Sequence, residues 1–590
     1  MKNVIGIDLG TSNSAMAVAN ADESLQIVEI PQMLNAKQQV TQSLLPSVVF
    51  QMSEHENVVG PFVEVADQDH VVGAWAREKA QENPERAVLS SKSWLSANYV
   101  ARKEPILPWG SDIKEKMSPV CAAEKVLKHL EAAWKASEFN DASRTVVTVP
   151  ASFDETARQL TMQAIETSEF PNVQLLEEPQ AAFYSWLDQN PDWREKVQPG
   201  NVILVCDVGG GTTDLTLILA YEKDGVLELE RIAVGSHLLL GGDNMDLALA
   251  MNLKAELGEL DLWQMQSLIQ SCRAGKEQLW KQPELENIKI SVASRSSKLF
   301  AKTKSANLTR ELLERVILDG FFPSQSKSEL PKKQIQSGLV EMGLRYVHDP
   351  AITKHIAEFL TNAVTKIQSS SELNVVDTTF SNGIVVPDAI LFNGGVFHAT
   401  EVRDRVLSTI RSWGEGKEIC ELVPSSFDTA VAMGAAAYGR LCETGKGIKV
   451  RAGTTCSYYL GVENSGMAIP GMPVQIKGLC VVPLGSEEGV SLDLPDQVFG
   501  LVVGQPVEFQ FFQSAERSED QLGDVVENAD QCLQPAGKLS TKIELKTDVN
   551  EQDLIPVHLH SYVSDIGVLE LALKQVGSES SWKLEFDVRD

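Results

Sequence analysis

Two apolar strands of this chain each run into a glycine-containing loop headed by an aspartate. That pairing constrains the fold more than any bulk property. One stretch reads VCDVGGGTTDLTL, Val205 to Leu217. Three consecutive glycines normally spoil a strand, because glycine loses the most freedom on folding and has no side chain to pack. Their use is to bend the chain and bare backbone N–H groups to a polyanion. A buried bulge would give the same string. A second stretch of the same grammar, IGIDLGTSNSAMAV, weakens that bland alternative. It carries Asp8, Gly10, Thr11 and Ser12, against Asp207, Gly209, Gly210, Gly211, Thr212, Thr213 and Asp214 in the first. Two such hairpins are expected to clasp a phosphate chain from opposite sides. The aspartates would hold Mg²⁺ through its waters, since that ion dehydrates reluctantly. Glycine amides and threonine hydroxyls would bond the phosphoryl oxygens.

At 590 residues the chain is too long for one core, and two to four domains are expected. The formal charge of -29, from 52 basic and 81 acidic residues, argues against nucleic acid and anionic membranes as partners. It leaves room for a small nucleotide in a local pocket. The opening MKNVIGIDLG reads as a strand rather than a secretory signal, and no apolar run is long enough to span a bilayer. Eight scattered cysteines without a Cys-x-x-Cys pair read as reduced thiols of a cytoplasmic protein.

Residues 1 to about 440 alternate short apolar strands (Val4–Leu9, Thr145–Val149, Val202–Val205, Ala389–Phe392) with amphipathic helices (Ser118–Ser137, Asp154–Thr167). That alternation predicts α/β architecture. After Gly447 the period changes to two, at Val507, Phe509 and Phe511, at Leu569 and Leu571, and at Trp582, Leu584, Phe586 and Val588. An all-β module of about 140 residues is expected there. The boundary is placed in Thr444–Val450, and the acidic stretch Ser514–Gln531 reads as a solvated loop or short helix.

The two loops resemble the phosphate motifs of the actin-like ATPase fold. VVTVPASFDETARQLTMQAI, LLEEPQAAFYSW, LLLGGDNMDLAL, ILFNGGVFHAT and FDTAVAMGAAAYG are similar, in order, to segments of the seventy-kilodalton heat-shock chaperone family, DnaK type. The resemblance implies a two-lobed α/β actin-like ATPase domain at 1–445 and an all-β, sandwich-like substrate or partner domain at 446–590, without a helical lid. It implies ATP/ADP and Mg²⁺ as cofactors and slow hydrolysis that regulates binding of a protein client. A J-domain co-chaperone or exchange factor would act on it. Lys92, Glu178, Thr212 and Asp214 take the catalytic roles, with Lys92 facing the transferred phosphoryl group and Glu178 orienting water. Gly10, Thr11, Ser12, Gly210, Gly211 and Thr212 would contact phosphates. Gly242, Lys276, Gly394, Gly395 and Asp428 complete the nucleotide site, Asp8 and Asp207 hold the metal, and Pro150 and Arg158 relay nucleotide state between domains.

This chain also departs from the pattern. Val396, Phe397 and His398 stand where a small polar residue and an adenine-stacking arginine are usual, and Arg273 replaces an acidic ribose contact. Trp280 and His398 are expected to form an aromatic pocket instead. Gln180 replaces a common threonine. Residues 338–386 read as an insertion and a docking surface, and the linker KGIKVRAG is basic rather than acidic and leucine-rich. His558 and His560 share a strand face and could chelate a metal only with a third ligand. Two other readings stay open: a small-molecule kinase on the same scaffold, and a nucleotide-binding scaffold without turnover.

Overall fold

The computed structural model describes the chain except residues 1, 21–23, 54–59, 63–68, 98–99, 224–225, 294–302, 333–343, 345, 370–379, 382, 446–449, 452–453, 455, 464–475, 487–489, 503–506, 515–516, 518, 542–553, 564–568, 579 and 588–590. The chain divides into two compact units. One comprises Met1–Ala97, Glu104–Ser152 and Ala164–Lys449; the other comprises Asn98–Lys103, Phe153–Gln163 and Val450–Asp590. The linker residues 446–449 lie outside the described residues.

The first unit is built on one strand plan used twice. In the first sheet the strand Asn3–Asp8 pairs antiparallel with Asn13–Ala19, which pairs with Leu25–Ile27. On its other side it runs parallel to Ala142–Val149, which runs parallel to Val173–Glu177. In the second sheet Val202–Val208 pairs antiparallel with Thr213–Lys223, which pairs with Val226–Val234. Its other flank runs parallel to Ala389–Asn393 and then Cys420–Leu422. Both central strands are buried along nearly their whole length, as near-continuous apolar runs predict for sheets covered on two faces.

The helices start for readable reasons. Pro119–Ala136 begins where Ser118 Oγ accepts the N–H of Cys121 and Pro119 fills the first turn. Glu155–Glu166 follows Asp154, whose carboxylate accepts the N–H of Ala157 at 2.7 Å. The helix Ala430–Thr444 approaches the first sheet very closely. A Cβ on Gly6 would lie 2.3 Å from the Ala432 carbonyl oxygen, and one on Gly434 would lie 1.6 Å from the Ala181 carbonyl oxygen. Either alanine substitution would force the layers apart.

The helix expected within 338–386 spans Ile352–Ser369. Ile352, Ile356, Leu360, Ala363 and Ile367 are buried in the core of the second sheet. This helix is therefore a core element, which corrects the docking-surface expectation for that part of the segment.

From Ser457 onward the described residues form a nine-stranded sheet and one helix, Ala529–Cys532. Adjacent residues serve opposite faces. Tyr458, Leu479 and Phe511 join one apolar cluster while Tyr459, Cys480 and Phe512 join another, as a period of two requires. The first cluster also takes Leu559, Leu571, Leu573 and Leu584, so both halves of the sheet share one core. The segment Ser514–Gln531 holds the two-residue strand Val525–Val526 and the start of the short helix. Among the described residues no helix is long and apolar enough to cross a membrane.

Candidate active site

The two repeated strand plans bring their aspartate loops face to face. An added Cβ on Gly210 would sit 2.2 Å from Ser12 Oγ, and one on Gly211 would sit 2.7 Å from Thr11 Cγ2. Only glycine allows the second loop to approach Thr11 and Ser12 of the first this closely, which answers why a glycine run interrupts an apolar segment. Gly209 N–H donates to the Thr212 carbonyl at 2.9 Å, closing the turn. The loop's outward carbonyls meet the start of the helix Gly242–Leu257: Gly242 N–H donates to Gly209 O at 3.0 Å and Asp243 N–H to Gly210 O at 2.7 Å. Loop and helix end satisfy each other's backbone groups, which fixes the loop's shape.

Each repeat also holds its aspartate in the same manner. Asp8 is in register with Thr148 on the parallel neighbour, and Thr148 Oγ1 lies 3.4 Å from Asp8 Oδ1. Asp207 is in register with Asn393, whose Nδ2 donates to Asp207 Oδ2 at 2.6 Å. Gly394, at φ 89°, presses against this pair: a Cβ there would lie 2.3 Å from the Val208 carbonyl and 2.7 Å from Asp207 Oδ1. Burial, reinforced by the charge of Glu178, pushes Asp8 up to about 7 and Asp207 up to about 8.

Lys92, on the short helix Ser91–Leu95, is buried and paired with Glu178, the first residue of the helix Glu178–Gln189. Burial, and then the charge of Asp214, raise Glu178 against the pull of Lys92. Asp214 goes the other way. Burial pushes it up, but His237, Ser152 and Lys92 together outweigh that, and it is held below the usual carboxylate range. Asp8, Glu178 and Asp214 thus lie within electrostatic reach of Lys92, and Asp207 within reach of those three, so four carboxyl groups share one cation. A divalent cation suits that imbalance. Among the described residues no three His, Cys, Asp or Glu side chains are disposed to ligate a metal directly.

The residues expected on the adenosine side are held differently. Lys276 pairs with Asp246 at 2.6 Å, and Arg273 pairs with Asp246 at 2.8 Å and with Asp243. His398 Nε2 lies 2.9 Å from Asp428 Oδ2, with side chains 46% and 42% exposed. The ring beside His398 is Phe427, edge-on at 5.3 Å. Trp280 is partly buried against the core of the second sheet. A Cβ on Gly395 would lie 3.5 Å from Asp428. Pro150 ends buried just past the strand Ala142–Val149. Arg158 lies in the second unit, where its Nε is 3.4 Å from the Phe153 carbonyl. His558 and His560 meet separate acceptors, the Gln497 carbonyl at 3.1 Å and Asp493 at 2.6 Å, rather than sharing a metal.

Four residues escaped the sequence reading. Arg77 on the helix Ala74–Glu82 donates to the Ser12 carbonyl at 3.0 Å and to Asn13 Oδ1 at 2.7 Å, bracing the first loop. Arg231 forms a buried ion pair with Glu177, joining the second sheet to the residue before Glu178. Ser152 and His237 both reach Asp214. Only the lone histidine after a strand end offered any signal.

Curated relatives match part of the chain. The chaperone protein HscA homolog of Photobacterium profundum is 31% identical over 268 residues, 43% of this chain and 38% of the relative. The HscA homolog of Pseudoalteromonas atlantica is 29% identical over 334 residues, 54% and 47% of the two chains. That of Pasteurella multocida is 33% identical over 259 residues, 42% and 36%. The chain thus spans less than half the length of these relatives. A family model described as Hsp70 protein matches residues 4–323, more than half of the 590, and the chain belongs to that family.

Proposed function

We propose that this protein hydrolyses ATP to ADP and phosphate with Mg²⁺, and that nucleotide state regulates how it binds a protein client. The observation that carries this is the buried Lys92–Glu178 pair beside two glycine loops in mutual contact. The amides of Gly10, Gly210 and Gly211 and the hydroxyls of Thr11, Ser12 and Thr212 would cradle the phosphates. Bound Mg²⁺ would supply charge neutralisation for the phosphoryl oxygens. The Lys92 ammonium would stabilise charge on the transferred group, a role worth most in a buried site. Glu178, raised by burial, would accept a hydrogen bond from the attacking water, with Thr212 and Asp214 completing its orientation.

Residues 446–590 would act as the client-binding domain. Their alternating strands suit the addition of an extended segment, with affinity from main-chain hydrogen bonds and selectivity from a few apolar pockets. Pro150 and Arg158 would relay nucleotide state, and a J-domain protein or exchange factor would set the rate. That these relatives are chaperone proteins by name supports the same reading. The test is single-turnover hydrolysis with stopped-flow anisotropy of labelled apolar peptides on the full chain. Expected are slow Mg²⁺-dependent hydrolysis and peptide release rates that differ between ATP and ADP. A phosphoryl acceptor that consumes ATP far above this background would favour the kinase reading. Bound but uncleaved ATP would favour the scaffold.

A further inference from the structure

Ser152 sits two residues past Pro150, beyond the end of the first sheet's strand Ala142–Val149. Its hydroxyl lies 2.7 Å from Asp214 Oδ1 and 2.9 Å from His237 Nδ1, and that nitrogen lies 3.3 Å from the same carboxylate oxygen. Asp214 is 5% exposed. Its side chain belongs to the second sheet's hairpin, as the residue in register with Asp207. His237 comes from the segment between the strand Val226–Val234 and the helix Gly242–Leu257.

Counting protons assigns the roles. A serine hydroxyl has one proton, and an ionised carboxylate has none to give. At 2.7 Å the Ser152 hydroxyl donates to Asp214 Oδ1. His237 Nδ1 then faces two oxygens and must be the donor. Two donors from separate segments thus converge on one buried oxygen and fix the plane of the carboxylate. The charged groups around the imidazole are Asp214 on its hairpin and Glu178 at the head of its helix, while Lys92 acts on both carboxylates.

We propose that Ser152 and His237 are positioning residues for Asp214. Together they aim its carboxylate at the water that attacks the terminal phosphoryl group, and Ser152 ties that aim to the segment carrying Pro150. This rests on the ATPase reading above.

The experiment measures single-turnover hydrolysis and calorimetric nucleotide binding on the full chain for wild type, Ser152→Ala, Ser152→Thr, His237→Ala and His237→Gln. A group misplaced by an ångström can cost about 10²-fold, so the alanine variants are expected to lose roughly 10- to 100-fold in rate. ATP affinity should stay within about twofold, because the contact serves the reaction rather than ground-state binding. Threonine keeps the hydroxyl and glutamine keeps an N–H donor, so both should recover most of the rate. Equal rates in wild type and alanine variants overturn the inference while leaving the ATPase reading intact. So do affinity losses that match the rate losses, or conservative variants as slow as the alanines. Absence of hydrolysis by wild type overturns the ATPase reading and this inference with it.

Discussion

The proposed phosphate end of the first unit and the open, outer side of its proposed adenosine end hold their ion pairs under opposite conditions. At the phosphate end Lys92, Glu177, Glu178, Arg231 and Asp214 are buried, and glycines leave no room for a methyl group. At the proposed adenosine end the Lys276–Asp246 pair is buried, but the His398–Asp428 pair is nearly half exposed. An ion pair in water is worth about 0–1 kcal/mol, whereas breaking a buried one strands a charge at about 3–5 kcal/mol. Burial decides which of these pairs can be lost cheaply. Among the departures from the family's base contacts His398 is exposed, whereas Val396 and Phe397 are buried.

The strongest way to break this contrast is Arg231→Ala, which leaves Glu177 buried without its cation. Denaturant unfolding is expected to show a loss of about 3–5 kcal/mol. His398→Ala, the exposed counterpart, should stay within about 1 kcal/mol. Similar losses in the two variants would end the argument from burial.

Lys92→Ala follows in size. Turnover should fall about 10²- to 10³-fold while ATP still binds, as for a group that acts on the transition state. Unchanged turnover would remove Lys92 from the chemistry.

The raised carboxyls sharpen the comparison through pH. Asp8 and Asp207 bind protons more tightly in the folded chain, at about 7 and about 8 against an ordinary 3.8. Between those values the native state carries more protons than the unfolded one, so stability falls as pH rises. Without Mg²⁺ and nucleotide, the melting temperature should therefore drop from about pH 6 to about pH 8.5. Asp207→Asn should flatten the drop, and Mg²⁺ with ATP should offset it. A melting temperature that rises across this range contradicts the assignment.

The smallest effect is at the base. A ring such as Phe427 or His398 stacks on any purine, and fixed donors to the base edge are few. GTP should compete with ATP within about tenfold, or roughly 1.4 kcal/mol. A much larger preference, read by calorimetry, would show that the open end is specified after all.

The sequence carried what lies within a few residues of itself. Asp8 with Gly10, and Asp207 with Gly210 and Gly211, were legible because strand, turn and loop are local grammar. Lys92 and Glu178 were legible through their surrounding motifs. Arg231 was not: LELERIAV reads as an alternating strand with its charges outward. A register shift sets Leu217 opposite Ala233 but Ile218 opposite Arg231, and Arg231 ends in the buried pair with Glu177. Ser152 and His237 stand 85 positions apart, and only the assembled sheets bring them to Asp214. The helix Ile352–Ser369 was legible as a helix, but its buried face depends on a sheet whose strands lie on both sides of it in sequence.

The seam between Gly6 and the helix Ala430–Thr444 sets a schedule for synthesis. The strand Asn3–Asp8 leaves the ribosome more than 400 residues ahead of the helix that covers it. At about 5–20 residues per second, that interval is on the order of 20 to 90 seconds. Throughout it, an apolar strand waits with one face unclad. A nascent chain of this design must itself be sheltered from aggregation until that helix arrives.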